Sequence, residues 1–301
     1  MTKVLVTGIT GFLGSAIAEK LLSENFDVVG LMRPNSDVWR CKDFTSKVFW
    51  VEVNEHWRQN LLDQSPDIII HCAWMGVGSG SRNNWNEQIK NIEFLTNLLE
   101  IGAEISVKKI IFLGSQAEYG RMFEKVNEQK MAAALDAYSA VKLSSLEIVK
   151  AFCSLNNIKW VWLRVFSVFG EKEDESWLIP ALIKIMQKNN EMDLTEGQQK
   201  YAYLYVLDFA KFIHKIVIHQ VPSGIYNLSS DTTRSIRSIA ESIRDLVNPS
   251  FKLNFGAIPY RPNQSMYVEG DISKLTGSIG EIDFTDFELA LRKTIGYYLT
   301  E

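Results

Sequence analysis

The run Val4-Leu5-Val6-Thr7-Gly8-Ile9-Thr10-Gly11-Phe12-Leu13-Gly14 sets three glycines between an apolar, strand-like segment and a segment of helical period. Few architectures have a use for that arrangement. A strand that is apolar throughout must be covered on both faces, and a helix that follows at once must cross one of them. The pattern recurs down the first half of the chain. Strands are expected at 3–7, 27–32, 48–51, 67–71, 109–114 and 159–165, with helices at 12–23, 88–101 and 137–156. Such alternation predicts an α/β fold built on a doubly wound parallel sheet of the Rossmann kind.

Each glycine then has a physical task. Gly8 permits a tight turn off the strand, Gly11 lets backbone approach a pyrophosphate, and Gly14 allows the helix to pack closely. The first helical turn offers free N–H groups and the positive end of its dipole to phosphate oxygens. A dinucleotide is therefore expected at Gly8, Thr10, Gly11, Phe12, Leu13 and Gly14. A carboxylate at the end of the second strand would bind the ribose 2′-OH of NAD, whereas an arginine accommodates the 2′-phosphate of NADP. Met32 and Arg33 stand there, which favours NADP(H) over NAD(H) unless Arg33 is only a solvated loop residue.

Past Val165 the rhythm changes. A helix at 180–188, a polar turn at 195–197, an aromatic strand-like run at 201–206 and a helix capped by Asp208 are expected next. A strand-like 226–228, a helix at 236–247 and a tail punctuated by Gly and Pro complete the chain. Residues 1–167 read as a dinucleotide-binding domain and 168–301 mainly as a smaller α+β substrate lobe, with about 201–220 returning to the first domain. A Gly/Ser loop at 77–81 reads equally as a cover for a ligand or as plain surface.

Asp136-Ala137-Tyr138-Ser139-Ala140-Val141-Lys142 places Tyr138 and Lys142 one helical turn apart on one face. A phenol ionises near pH ~10, and a neighbouring ammonium favours the phenolate. An exposed pair would do nothing, but beside a dinucleotide the tyrosine can exchange a proton with a hydroxyl or carbonyl. Ser115 ends the apolar strand 109–114, at the carboxyl edge where open α/β sheets bind ligands. Its hydroxyl either caps a turn or donates to the same oxygen that Tyr138 protonates.

These stretches together resemble the extended short-chain dehydrogenase/reductase family, the NAD-dependent epimerase/dehydratase group acting on nucleotide sugars, over nearly the whole chain. The segment 67–73 resembles its fourth strand, ending at Ala73 against the cofactor, and Asn91 sits where its central helix carries an asparagine. Residues 163–170 resemble the strand that leads into the substrate lobe, and 203–208 and 224–228 match two further blocks. The resemblance implies a catalytic set of Ser115, Tyr138 and Lys142, with Lys142 also holding the nicotinamide ribose. It implies cofactor contacts from Arg33, Ala73, Asn91 and Val165 besides the glycine loop, and substrate contacts from Gln116, Ser167, Leu178 and Arg261. A homodimer packed through the helices at 88–101 and 137–156 is implied as well.

Departures from the family narrow the chemistry. Its 4,6-dehydratases carry an Asp-Glu pair after the catalytic hydroxyl, where this chain has Gln116-Ala117. Its fucose-pathway epimerase-reductases place a cysteine at the Ala117 position. The tail at 255–266 resembles that of CDP-abequose synthase-like 4-keto-sugar reductases of surface-polysaccharide pathways, with Arg261 as a pyrophosphate clamp. Its usual partner arginine is replaced by Tyr201 beside Lys200. The expected activity is NADPH-dependent reduction of a nucleotide-diphospho-4-keto-6-deoxy sugar, hexose or heptose. The rivals are a 4-epimerase with tightly held NAD and a non-enzymatic dinucleotide-binding regulator.

Composition excludes other classes. A net charge of −4 with scattered Lys and Arg leaves no footprint for nucleic acid. Three distant cysteines and four histidines show no zinc spacing, so no metal is expected. The longest apolar run, 68–74, is far short of the ~20 residues that span a bilayer. The opening MTKVLVTG has no secretory pattern, and a cytoplasmic location is expected.

Overall fold

The computed structural model describes residues 2–78, 80–262 and 264–300. Those parts of the sequence reading that fall on Ser79, in the 77–81 loop, and on Asn263, in the 255–266 tail, lie outside the described residues.

The first half runs β1 (Lys3–Thr7), α1 (Phe12–Ser23), β2 (Asp27–Met32), β3 (Val48–Glu52), α2 (Trp57–Gln64), β4 (Ile68–His71), α3 (Trp85–Glu104), β5 (Lys109–Ser115), α4 (Ala137–Leu155) and β6 (Lys159–Val165). The second half runs β7 (Val168–Phe169), α5 (Leu178–Lys188), β8 (Glu191–Leu194), β9 (Lys200–Tyr201), β10 (Leu204–Tyr205), α6 (Val206–Ile218) and β11 (Gly224–Leu228). It closes with β12 (Arg234–Ser235), α7 (Ile236–Val247), β13 (Lys252–Phe255), β14 (Tyr267–Val268), α8 (Ser273–Ile279) and α9 (Phe287–Thr300).

Seven parallel strands form the central sheet in the order β11-β6-β5-β4-β1-β2-β3. Successive side chains serve opposite faces. Val4 and Val6 join a core with Ile17, Leu21, Phe212 and Ile213 from α1 and α6. Leu5 joins the other face with Leu95, Leu98 and Leu99 of α3 and Leu146 and Val149 of α4. Both faces are dry over the central strands, which is why those strands read as continuous apolar runs. Chain order reverses between β1 and β4, and a doubly wound sheet opens its ligand crevice at such a reversal.

The second half does two things. α6 packs on α1, and β11 pairs with β6 to complete the sheet, so the returning part extends through Leu228. The remainder forms a lobe whose core joins Ile179, Ile183, Ile239, Ile243, Leu291 and Ile295 from α5, α7 and α9. The aromatic run at 201–206 is not one strand. β9 pairs with β12 and β14 while β10 pairs with β7, so the chain changes sheets at Ala202-Tyr203. Nor does Asp208 cap α6, which begins at Val206 behind Tyr205. Asp208 is buried in the first turn and accepts hydrogen bonds from Thr285 N (2.8 Å), Thr285 Oγ1 (2.9 Å) and Lys211 Nζ (2.7 Å). A buried carboxylate needs such partners, and here they tie α6 to the approach to α9.

The glycine loop is held by close contacts. Gly8 has φ +67°, and a Cβ there would meet Ala73 N and Cα at 2.8 Å, across the β1/β4 reversal. A Cβ on Gly14 would come within 2.2 Å of the Gly8 carbonyl oxygen. Gly14→Ala is therefore expected to cost about 1–3 kcal/mol in urea unfolding, as overpacking does, and to weaken dinucleotide binding in the same protein.

Candidate active site

Thr7, His71, Ser115 and Val165 end four parallel strands at one edge of the sheet, and the expected site residues gather beyond them. At β1 the Thr7 hydroxyl lies 2.9 Å from His71 Nδ1 and accepts a hydrogen bond from Ala73 N (3.2 Å). The strand ends are thereby fastened beneath the glycine loop. Burial pushes the His71 imidazole down to about 3, so it is a neutral member of the packing.

The loop fits a dinucleotide pyrophosphate. Gly11 N donates to Gly8 O at 3.0 Å, and Gly11 opens α1 with no side-chain cap and no acidic residue in the first turn. N–H groups left without a side-chain cap at a helix start receive anions. Arg33 is exposed at the far end of β2, in a turn where Ser36 N donates to its carbonyl. Asn91 is buried, with Oδ1 accepting from Met75 N (2.8 Å) and Nδ2 donating to Met75 O and Gln88 O. Its amide is thus spent on shaping the loop after β4.

At β5, Ser115 opens a single helical turn, Gln116–Tyr119. Its Oγ accepts from Ala117 N (3.2 Å), and Glu118 Oε1 accepts from Ser115 N (2.8 Å), a reciprocal capping box. Glu118 is 0% exposed and also accepts from Trp162 Nε1 (3.0 Å) and Arg164 Nε (2.8 Å). The carboxylate three residues from Ser115 is therefore fully engaged away from the cleft. Gln116 and Ala117 remain partly open.

Tyr138 and Lys142 project from the first turns of α4. Asp136 caps that helix, accepting from Ser139 N (2.8 Å). Burial raises the Tyr138 phenol above its ordinary value, while a hydrogen bond with Ser115 and the charge of Arg82 pull it back. Lys142 is 4% exposed, donates to Leu113 O (2.6 Å) and sits 3.4 Å above the centre of the Trp74 ring. Burial brings its amine down to about 7, against the pull of Glu118. The sequence reading gave Lys142 the task of holding the phenol down. The structure adds a second cation, Arg82, whose guanidinium lies 4.2 Å from the Tyr138 ring centre, against 5.8 Å for the Lys142 amine.

The substrate-side candidates lie further out. Ser167 O accepts from Leu204 N (2.8 Å), and Leu178 opens α5. Arg261 is exposed, and its charge reaches the Tyr201 hydroxyl. Tyr201 Oη lies 2.5 Å from Gln264 Nε2, and Met122 N donates to Ser265 Oγ (3.2 Å), so the tail is stitched to the segment after Ser115. Arg82, Trp74 and the Glu118–Arg164 pair were not anticipated. Ser115-Gln116-Ala117-Glu118 did carry the S-x-x-E signature of a capping box. Arg82 lies in an irregular loop and had no local signal.

Residues 4–229 match the NAD dependent epimerase/dehydratase family, and the chain belongs to it. It is 26% identical to CDP-abequose synthase of Salmonella muenchen, over 91% of this chain and 90% of that protein. It is 22% identical to dTDP-6-deoxy-L-talose 4-dehydrogenase (NAD(+)) of Aggregatibacter actinomycetemcomitans, over 89% of this chain and 98% of that one. The crystal structure of a UDP-glucuronic acid 4-epimerase from Bacillus cereus, in complex with UDP-glucuronic acid and NAD, matches with a TM-score of 0.87 at 22% identity and 99% coverage of both chains. The chain is an enzyme of the extended short-chain dehydrogenase/reductase group. Among the described residues no helix is long and apolar enough to cross a membrane.

Two outcomes follow from the buried charges. Glu118→Gln leaves Arg164 buried without its counter-charge and is expected to lower unfolding free energy by about 3–5 kcal/mol in denaturant titration. Lys142 has a folded value of about 7, below the ~10.4 of an unfolded lysine. The unfolded chain then binds the extra proton between those values, so stability rises with pH across that window. Lys142→Met is expected to flatten the rise in melts recorded from pH 7 to 10.

Proposed function

We propose that this enzyme reduces the C4 carbonyl of a nucleotide-diphospho-4-keto-6-deoxy sugar, with NADPH as reductant. The observation that carries the reading is the placing of Tyr138 and Lys142 on one face of α4, with Lys142 bonded to Leu113 O on β5 two residues before Ser115 and the Glu118 carboxylate engaged by Arg164. Bound along the glycine loop, the reduced nicotinamide supplies a hydride. Tyr138 gives its phenolic proton to the carbonyl oxygen as the carbon is reduced, and solvent later restores that proton. Ser115 Oγ donates to the same oxygen and stabilises charge developing on it. Lys142 Nζ, once drawn off the Leu113 carbonyl, holds the nicotinamide ribose.

Elimination of water needs an acid and base beside the sugar. Gln116 and Ala117 supply neither, and Glu118 is locked to Arg164 and Trp162. Hydride chemistry is what remains. Arg33, with no acid at Met32, supports NADP(H), and Arg261 near Tyr201 supports a diphosphate clamp. A surface-polysaccharide role, a cytoplasmic location and a homodimer through α3 and α4 belong to the same reading. The second reading, 4-epimerisation with retained NAD, is supported by the fold shared with a 4-epimerase solved with NAD.

The test is oxidation of NADPH and NADH against CDP-, GDP- and dTDP-linked 4-keto sugars. Turnover consuming NADPH is expected, with Tyr138→Phe slower by about 10²–10⁴-fold. Undiminished reduction by Tyr138→Phe would refute the acid role. Purified protein that carries nicotinamide and interconverts sugars without added cofactor supports the epimerase instead.

A further inference from the structure

The loop between β4 and α3 reaches over the start of α4 and ends on Tyr138. Its beginning is pinned by α3: Gln88 accepts from Trp74 Nε1 (3.0 Å) and donates to Gly76 O (2.7 Å), while Asn91 holds Met75. Its end is pinned by Asn84, which caps α3, and by Asn83 Oδ1, which accepts from Ala137 N (3.2 Å). Arg82 lies between these anchors. Its carbonyl accepts the Tyr138 N–H at 3.0 Å, its Nε donates to Asp136 Oδ2 at 3.0 Å, and its guanidinium covers the Tyr138 ring at 4.2 Å. One residue thus grips the backbone, the helix cap and the ring of Tyr138.

We propose that Arg82 is a positioning residue for Tyr138, supplying both the contact that sets its ring and the fixed positive charge over it. This rests on the reading of Tyr138 as the proton donor. A guanidinium keeps its charge at any pH the protein survives, and a cation on a ring face also opposes rotation of the ring. The other groups around the phenol do not duplicate it. Ser115 on β5 is neutral, and Glu118 of the following turn and Asp136 of the α4 cap both act to raise the phenol. Lys142 of the same helix lies 5.8 Å from the ring centre and faces Trp74 and Leu113. His71 and Cys72, from β4 and the residue after it, are coupled to Lys142, and burial holds both neutral. Arg82 is therefore the cation set directly against the reacting tyrosine.

The test needs no substrate. Protein is produced with 3-fluorotyrosine, whose phenol ionises at lower pH than tyrosine, and each fluorine is titrated by NMR, with Tyr138→Phe assigning the resonance. Arg82→Gln is expected to raise the Tyr138 midpoint by about one pH unit, the size of effect an adjacent opposite charge exerts. Arg82→Lys is expected to recover at least half of that shift, and the ring resonance in Arg82→Gln is expected to broaden or split. If Arg82→Gln does not fold, Arg82→Met keeps the cover over the ring and makes the same comparison. An unchanged midpoint in a folded neutral variant overturns the proposal. A shifted midpoint in a protein that reduces no keto sugar leaves Arg82's role standing and refutes only the reductase reading.

Discussion

Glu118 is the point on which the catalytic edge depends. Three strands and one turn meet on its carboxylate or its immediate partners: Ser115 N at the end of β5, Trp162 and Arg164 on β6, and, through Tyr119, β11. Arg164 stacks 4.2 Å from the Tyr119 ring, and the Tyr119 hydroxyl donates to Asn227 Oδ1 at 2.7 Å. Gly114 belongs to the same knot, since a Cβ there would fall 2.6 Å from Glu118 Oε1. A buried carboxylate is costly unless every oxygen is engaged and a counter-charge is adjacent. Those demands are met only when β5, β6 and the turn after Ser115 adopt one arrangement. The angle at which Ser115 leaves the sheet follows from it.

The same carboxylate sets the electrostatic problem of the site. Its charge raises both the Tyr138 phenol and the Lys142 amine, although it touches neither. Two cations respond differently. Lys142 is buried on the Trp74 face, and that burial brings its amine down to about 7. A bound ribose with its hydroxyls, or a phosphate above it, would favour the protonated form over the one that burial selects. Arg82 is held by Asp136. The tyrosine thus has a guanidinium against its ring, while burial lowers the amine of the lysine.

Much of this was legible in the sequence, for identifiable reasons. The central strands of the first half were readable because both sheet faces are dry there, so their middles are apolar, while edge strand β3 leaves Phe49 exposed. Helices α1, α4 and α7 were readable because a glycine loop, an Asp136 cap and a strong apolar stripe marked them. The run 201–206 was misread because its period suits a strand, whereas Ala202 and Tyr203 carry the chain from one small sheet to another. Asp208 has the chemistry of a cap but finds its donors in Thr285, 77 residues away. Local pattern cannot report a partner at that distance. Arg82 was illegible for the same reason: its meaning comes from Tyr138 and Asp136, on a helix that begins 55 residues later.

The second lobe is fastened to the first through backbone-directed hydrogen bonds and through the start of α1. Arg40 Nε donates to Lys172 O (2.8 Å), and Lys172 Nζ returns a bond to Arg40 O (3.0 Å). Tyr298 of α9 donates to Glu173 O (2.7 Å), and Phe12 and Leu13 of α1 pack into the core of the lobe. The residues that follow the glycine turn therefore also brace the second lobe. Arg40 is occupied by this latch and stacked 4.3 Å from Trp39, whereas Arg33, nearer the end of β2, is exposed. Lobe docking thus engages Arg40, whereas Arg33, seven residues earlier, takes no part in it, so under the proposed reading a change at Arg33 would alter cofactor choice without loosening the lobe.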